Sequence, residues 1–219
     1  VGMPLLSAAQ SKLKTPTAFF GYELGDRFTR HHEMVSYYKH VAEAVPHIQF
    51  IEYGKTNEHR PLIALVVSSK ENMDKIDEIR QNNLKRTGLV AGSATDDGTA
   101  IVWLSYNVHG NEASSLDAAI KTVYDLADVN NAKTQEWLKN TVVIMDPCIN
   151  PDGRERYVNN YYETTNITPN PDIESKEHQE PWPNGRANHY LFDLNRDWAW
   201  QTQVESQQRM VLYNQWMPH

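Results

Sequence analysis

One cysteine, Cys148, in 219 residues leaves no partner for an intramolecular disulfide and excludes a Cys-rich zinc or iron–sulfur centre. Any metal must therefore use imidazole and carboxylate. No apolar run approaches the roughly 20 residues that span a bilayer, so no membrane span is expected. Positive charge is also short. Lys and Arg number 21 against 28 Asp and Glu, a formal net charge of −7, and the clustered basic surface that nucleic acid or an anionic membrane selects is missing. No internal repeat is visible.

What remains looks globular. Hydrophobic residues make up 40% and charged residues 22%, close to average values, and 11 Tyr with 6 Trp promise a substantial core. The length suits a single α/β domain, read here as residues 15–219, with residues 1–14 as a flexible terminal segment. Within that segment Pro4-Leu5-Leu6-Ser7-Ala8-Ala9-Gln10 has an apolar stub followed by small residues, as the tail of a secretory signal peptide does. A disordered terminus explains it equally well. The first alternative makes a secreted or periplasmic location the expectation.

Along the chain, Thr15 to Thr29 reads as an irregular lead-in, and Val35, Tyr38, Val41 and Ala42 have helical spacing within 32–45. The pattern leaves His31, His32 and His40 on a solvated polar face. Residues 48–53 and 62–67, joined by the turn Gly54-Lys55-Thr56-Asn57-Glu58, predict a hairpin. Residues 69–84 predict one charged amphipathic helix, and 88–98 a loop. Residues 100–106 are almost continuously apolar, as a central strand covered on both faces would be. A helix over 115–126 and a second buried strand over 141–145 then imply a parallel crossover. Polar, Pro-rich residues 150–188 predict a long functional loop. Residues 203–216 close as an amphipathic helix. Cys148 reads as a small buried packing residue.

Three motifs carry the chemistry. Asn107-Val108-His109-Gly110-Asn111-Glu112 stands where a buried strand ends and a helix begins, the place where ligands gather in open α/β sheets. His109 and Glu112 can turn toward one point, and imidazole with carboxylate suits zinc, with Gly110 permitting a tight turn between them. A surface ion pair would have the same spacing. Asn150-Pro151-Asp152-Gly153 follows the next strand and is turn chemistry. Arg196, beside Asn195, could grip a carboxylate bidentately or form an ordinary surface salt bridge.

In combination, these motifs resemble the carboxypeptidase A-like metallocarboxypeptidase family in order and rough separation. Gly54-Lys55-Thr56-x-Glu58-x-Arg60-Pro61-Leu62 is similar to the hairpin preceding the catalytic strands there. His109-Gly110-Asn111-Glu112 resembles the first two zinc ligands. Gly185-Arg186-x-Asn188 and Asp193-Leu194-Asn195-Arg196 resemble the segment supplying a carbonyl-polarising Arg and the Asn-Arg pair that binds a terminal carboxylate. The resemblance implies a mixed, largely parallel sheet flanked by helices, and a zinc hydrolase acting on peptide or protein C-termini. His109 and Glu112 would bind zinc, Arg186 would stabilise the oxyanion, and Asn195 with Arg196 would hold the substrate.

The resemblance also implies a third ligand His on a strand after the 203–216 helix, and a general-base Glu further on. The chain stops at His219, so the expectation is a catalytic domain lacking its C-terminal part. Such a piece would be inactive alone, with an unpaired sheet edge through which it could self-associate. Alternatives kept open are an inactive peptide- or carboxylate-binding member of the fold, a zinc deacylase and a cell-wall peptide amidase. Asn111 stands where pancreatic-type members have Arg, and Asp197 where Asn is common.

Overall fold

The computed structural model describes residues 13–95 and 98–219. Most of the terminal segment expected over 1–14 thus lies outside the described residues. Leu13, which is described, packs against the core.

Four strands, β1 (Ile48–Lys55), β2 (Pro61–Val67), β3 (Ala100–Ser105) and β4 (Thr141–Asp146), form one mixed sheet in the order β1-β2-β4-β3. The β1–β2 and β2–β4 pairs are antiparallel, and β3–β4 is parallel, from Ala100 opposite Thr141 to Ser105 opposite Asp146. Both faces are covered, which is why β2 and the middle of β4, residues 142–145, are unbroken apolar runs. Strand alternation divides their side chains cleanly. Ile63, Leu65, Val67, Val143 and Met145 enter one core, and Ala64, Val66, Val142 and Ile144 the other.

The helices are α1 (Pro16–Phe20), α2 (His31–Ala44), α3 (Lys70–Met73), α4 (Ile76–Arg86), α5 (Ser115–Ala127), α6 (Ala132–Leu138), α7 (Pro151–Thr164) and α8 (Val204–Trp216). Met34, Tyr38 and Val41 of α2 meet Leu116, Ile120 and Val123 of α5 in the first core, while Ile79 of α4 meets Leu212 and Trp216 of α8 in the second.

Several expectations are corrected. The helix over 69–84 is two helices, α3 and α4, separated at Asp74 and Lys75. β3 is the terminal strand of the described sheet rather than a central one, and of its residues only Ile101 is buried. Residues 150–188 are not all loop. Asn150 accepts from Gly153 N, Pro151 takes the first helical turn, and α7 follows for 14 residues. Turn-forming Asn-Pro and N-cap–Pro starts use the same residues, so composition alone did not separate them. His31 is 3% exposed rather than solvated, and its backbone N–H donates to Glu155 Oε1 at 2.7 Å. Burial, then the nearby Arg60 and His32 charges, push its pKa down to about 3. Cys148 is buried as expected, and burial pushes its thiol pKa up.

Candidate functional site

The C-terminal ends of β3 and β4 lie side by side because the strands are parallel, and the loops leaving them interlock. Ile149 N donates to Tyr106 O at 3.1 Å, and Asn150 N to Asn107 O at 3.0 Å. Asn107 is fully buried at φ 47°, a left-handed conformation that Asn tolerates better than most residues. From there its Nδ2 donates to both His109 O and Glu112 O at 3.2 Å, stapling the turn between the candidate ligands. Gly110 has a different role from the tight turn expected of it. Its φ is not left-handed, but a Cβ would lie 2.0 Å from Arg154 N and 2.1 Å from Gly153 C. Only glycine lets this turn rest on the start of α7. Arg154, itself buried, donates to Ala113 O at 2.9 Å just past Glu112.

His109 Nδ1 stands 3.0 Å from Glu112 Oε1, and its Nε2 3.0 Å from Asp193 Oδ1. The His109 side chain is 10% exposed and that of Glu112 42%, so the pair is anchored on one side and open on the other. The other Asp193 oxygen accepts from Arg186 Nη2 at 2.9 Å and Nε at 3.2 Å. Asp193 thus joins a candidate metal ligand to the candidate oxyanion donor. Burial would raise its pKa, but the Asn195 amide, His109 and Arg186 together hold it below the usual carboxylate value.

The segment carrying Arg186 and Asp193 has little regular structure, and its backbone is held by side chains. Arg156 donates to the carbonyls of Asn184, Ala187 and Asn188. Buried Asn188 accepts from Tyr190 N and Phe192 N and donates to Gln203 and Glu205. A 3₁₀ turn, Leu194–Arg196, then exposes Asn195 and Arg196. Among the described residues the Arg196 side chain makes one hydrogen bond, from Nη1 to Asn195 O at 3.2 Å, and the residue is exposed. Buried Asp197 accepts from Thr202 N and Gln203 N, fixing the approach to α8. Asp152, also buried, accepts from Thr56 Oγ1 and Arg60 Nη1 at 2.7 Å, which ties the start of α7 to the β1–β2 turn.

A family model described as zinc carboxypeptidase matches residues 34–215. The chain belongs to that family. A search of curated proteins found no relative by sequence. Among solved structures, a metallo-carboxypeptidase from Burkholderia cenocepacia superposes with a TM-score of 0.52 at 17% identity, covering 83% of this chain and 37% of that one. One from Pseudomonas aeruginosa, in complex with (2-guanidinoethylmercapto)succinic acid, gives 0.51 at 15%, covering 87% and 37%. At these identities the likeness establishes the fold. This chain spans 37% of the length of each of these two solved structures.

Within this zinc carboxypeptidase fold, His109 and Arg186 meet at Asp193 and Glu112 lies against the other ring nitrogen of His109, whereas Asn195 and Arg196 are linked to them through the Asn195 N–H, which donates to Asp193 Oδ1 at 2.9 Å. Asp193 and Asn107 were not among the candidate residues. A carboxylate two positions before Asn195 was the available signal for Asp193; nothing local marked Asn107. His219 pairs with Ile101 through its backbone N–H and its Nδ1, at the start of β3 and the opposite end from His109. Among the described residues, the group of three convergent donors is Glu58, Asp152 and His189, and Arg60 already forms ion pairs with both carboxylates there.

Proposed function

We propose that the parent protein is a zinc carboxypeptidase hydrolysing C-terminal peptide bonds, with His109 and Glu112 supplying two zinc ligands. The observation that carries this reading is the His109 ring itself. Its Nδ1 meets a carboxylate oxygen on the open side, while its Nε2 meets Asp193, the outer carboxylate that fixes a ligating imidazole's tautomer and orientation. A nitrogen and an oxygen donor 3.0 Å apart with one exposed side fit zinc. Bound zinc supplies Lewis-acid polarisation of the scissile carbonyl and a nucleophilic water at neutral pH.

The chain's own residues do the rest. Arg196 and Asn195 hold the substrate carboxylate, which selects the terminal peptide bond. Arg186, oriented through Asp193, donates to the oxygen on which charge develops, a contribution of about 3 kcal/mol in comparable sites. Two protein donors are one fewer than catalytic zinc sites ordinarily use. A third ligand and a general base would complete the proposed site, and activity requires them.

The parent protein should release the terminal residue of an N-acyl dipeptide, leave the corresponding amide intact, and lose activity to a chelator. Equal cleavage of acid and amide, or activity surviving chelation, would contradict this reading.

A further inference from the structure

Asn195 and Arg196 are both exposed, and an asparagine amide presents either a donor or an acceptor depending on how it is turned. For a carboxylate ligand only the NH₂ face is productive. The other face would set oxygen against oxygen. What turns Asn195 is therefore a chemical question with a structural answer.

Trp198 Nε1 lies 3.4 Å from Asn195 Oδ1. Indole N–H is a donor with no acceptor capacity, so the only amide orientation it stabilises has the oxygen toward Trp198 and the NH₂ away from it. Behind the indole stands Arg209, 1% exposed, its guanidinium carbon 4.1 Å from the ring centroid. Among the described residues, none of its three guanidinium nitrogens has a hydrogen-bond partner. A buried cation without hydrogen bonds is held mainly by the aromatic face above it and by the nearby carboxylates of Asp146 and Glu205. The pairing works in both directions, because the same contact holds the indole in place. Asp197 braces the connection by accepting from Thr202 N and Gln203 N immediately before α8, the helix that carries Arg209.

We propose that Trp198, backed by Arg209, is a positioning residue that fixes the Asn195 amide with its NH₂ group facing the bound carboxylate. The inference rests on the reading of Asn195 and Arg196 as the carboxylate grip. Its effect is discrimination between a carboxylate and a neutral chain end, a readout that a purely structural tryptophan would leave unchanged.

The test titrates the 219-residue chain with N-acetyl-glycyl-phenylalanine and with its C-terminal amide, following the Trp198 indole and Asn195 side-chain amide resonances. Wild type should prefer the acid, and Arg196→Ala should abolish the preference. Trp198→Phe keeps a ring over Arg209 but deletes the N–H, and should reduce the preference about threefold to tenfold, the size of one hydrogen bond. If Trp198→Phe fails to fold, benzothienylalanine at position 198 replaces the N–H by sulfur in a ring of nearly the same shape. No preference in wild type, or no change in Arg196→Ala, would remove the grip reading and this inference with it. Loss in Arg196→Ala with full preference retained at the substituted position 198 would overturn the positioning role alone.

Discussion

At the residue scale the site depends on one carboxylate serving two partners. Asp193 orients His109 through one oxygen and Arg186 through the other. Asp193→Asn keeps the size but removes the charge and one acceptor. It is expected to weaken zinc binding about 10- to 100-fold, the usual consequence of losing an outer carboxylate, while leaving the unfolding midpoint nearly unchanged. Zinc affinity by competition with a chromophoric chelator, beside a thermal melt, checks both parts. Unchanged affinity would mean that the Nε2 contact does not orient a ligand. The two candidate ligands were legible in the sequence because a strand end, a glycine and a His-x-x-Glu spacing coincide. Asn107 was not, since its role arises from a left-handed backbone and two carbonyls that only the folded turn brings together.

At the scale of elements, the start of α7 is the joint on which the site rests. Asn150 Oδ1 caps the helix at Gly153 N, and its Nδ2 donates to Arg186 O at 3.1 Å. Asn150→Ala removes both. The cap alone is worth about 1–2 kcal/mol, so urea denaturation should show at least that loss, against a smaller one for Asn150→Asp, which keeps the cap. Equal stability of Asn150→Ala and wild type would contradict this assignment. The helix was misread because Asn-Pro-Asp-Gly satisfies the rules for a turn as well as those for an N-terminus, and the apolar periodicity that separates them is faint in a segment whose buried side chains include Asp152, Arg154 and Glu155. The hairpin, α2, α5 and α8 were legible for the converse reason: each buries an apolar face at its proper period. Even so, Val211 is 62% exposed, so α8 does not bury every apolar residue it carries.

At the scale of the molecule, the two-faced sheet could be read from its apolar runs, but strand order could not. Periodicity shows that a strand is covered on both faces and says nothing about which neighbours pair with it, so β3 reads as central from its sequence. In the described structure its outer side is met at Ile101 by His219. The unpaired remainder of that edge makes self-association of the 219-residue chain the expected outcome, and a strictly monomeric profile by light scattering at rising concentration would count against it.

Buried titrating groups give the whole molecule a pH signature. His31 has its pKa depressed to about 3, so the unfolded chain binds its proton more readily. The stability it contributes is present above about pH 6.5 and is lost as pH falls toward 3. Asp146, pushed up to about 6 mainly by burial, acts oppositely: stability falls as pH rises from 3.8 to 6. His31→Gln should therefore flatten the acid limb of the stability profile, and Asp146→Asn should steepen it. Identical slopes in the two variants would show that neither group titrates as its surroundings dictate.

The central claim is that His109 and Glu112 form a zinc pair that these residues leave incomplete. Calorimetric zinc titration of the chain, wild type against Glu112→Ala, tests it most directly. The account predicts weak binding near one equivalent in wild type that disappears in Glu112→Ala. Zinc held equally well by Glu112→Ala would contradict it.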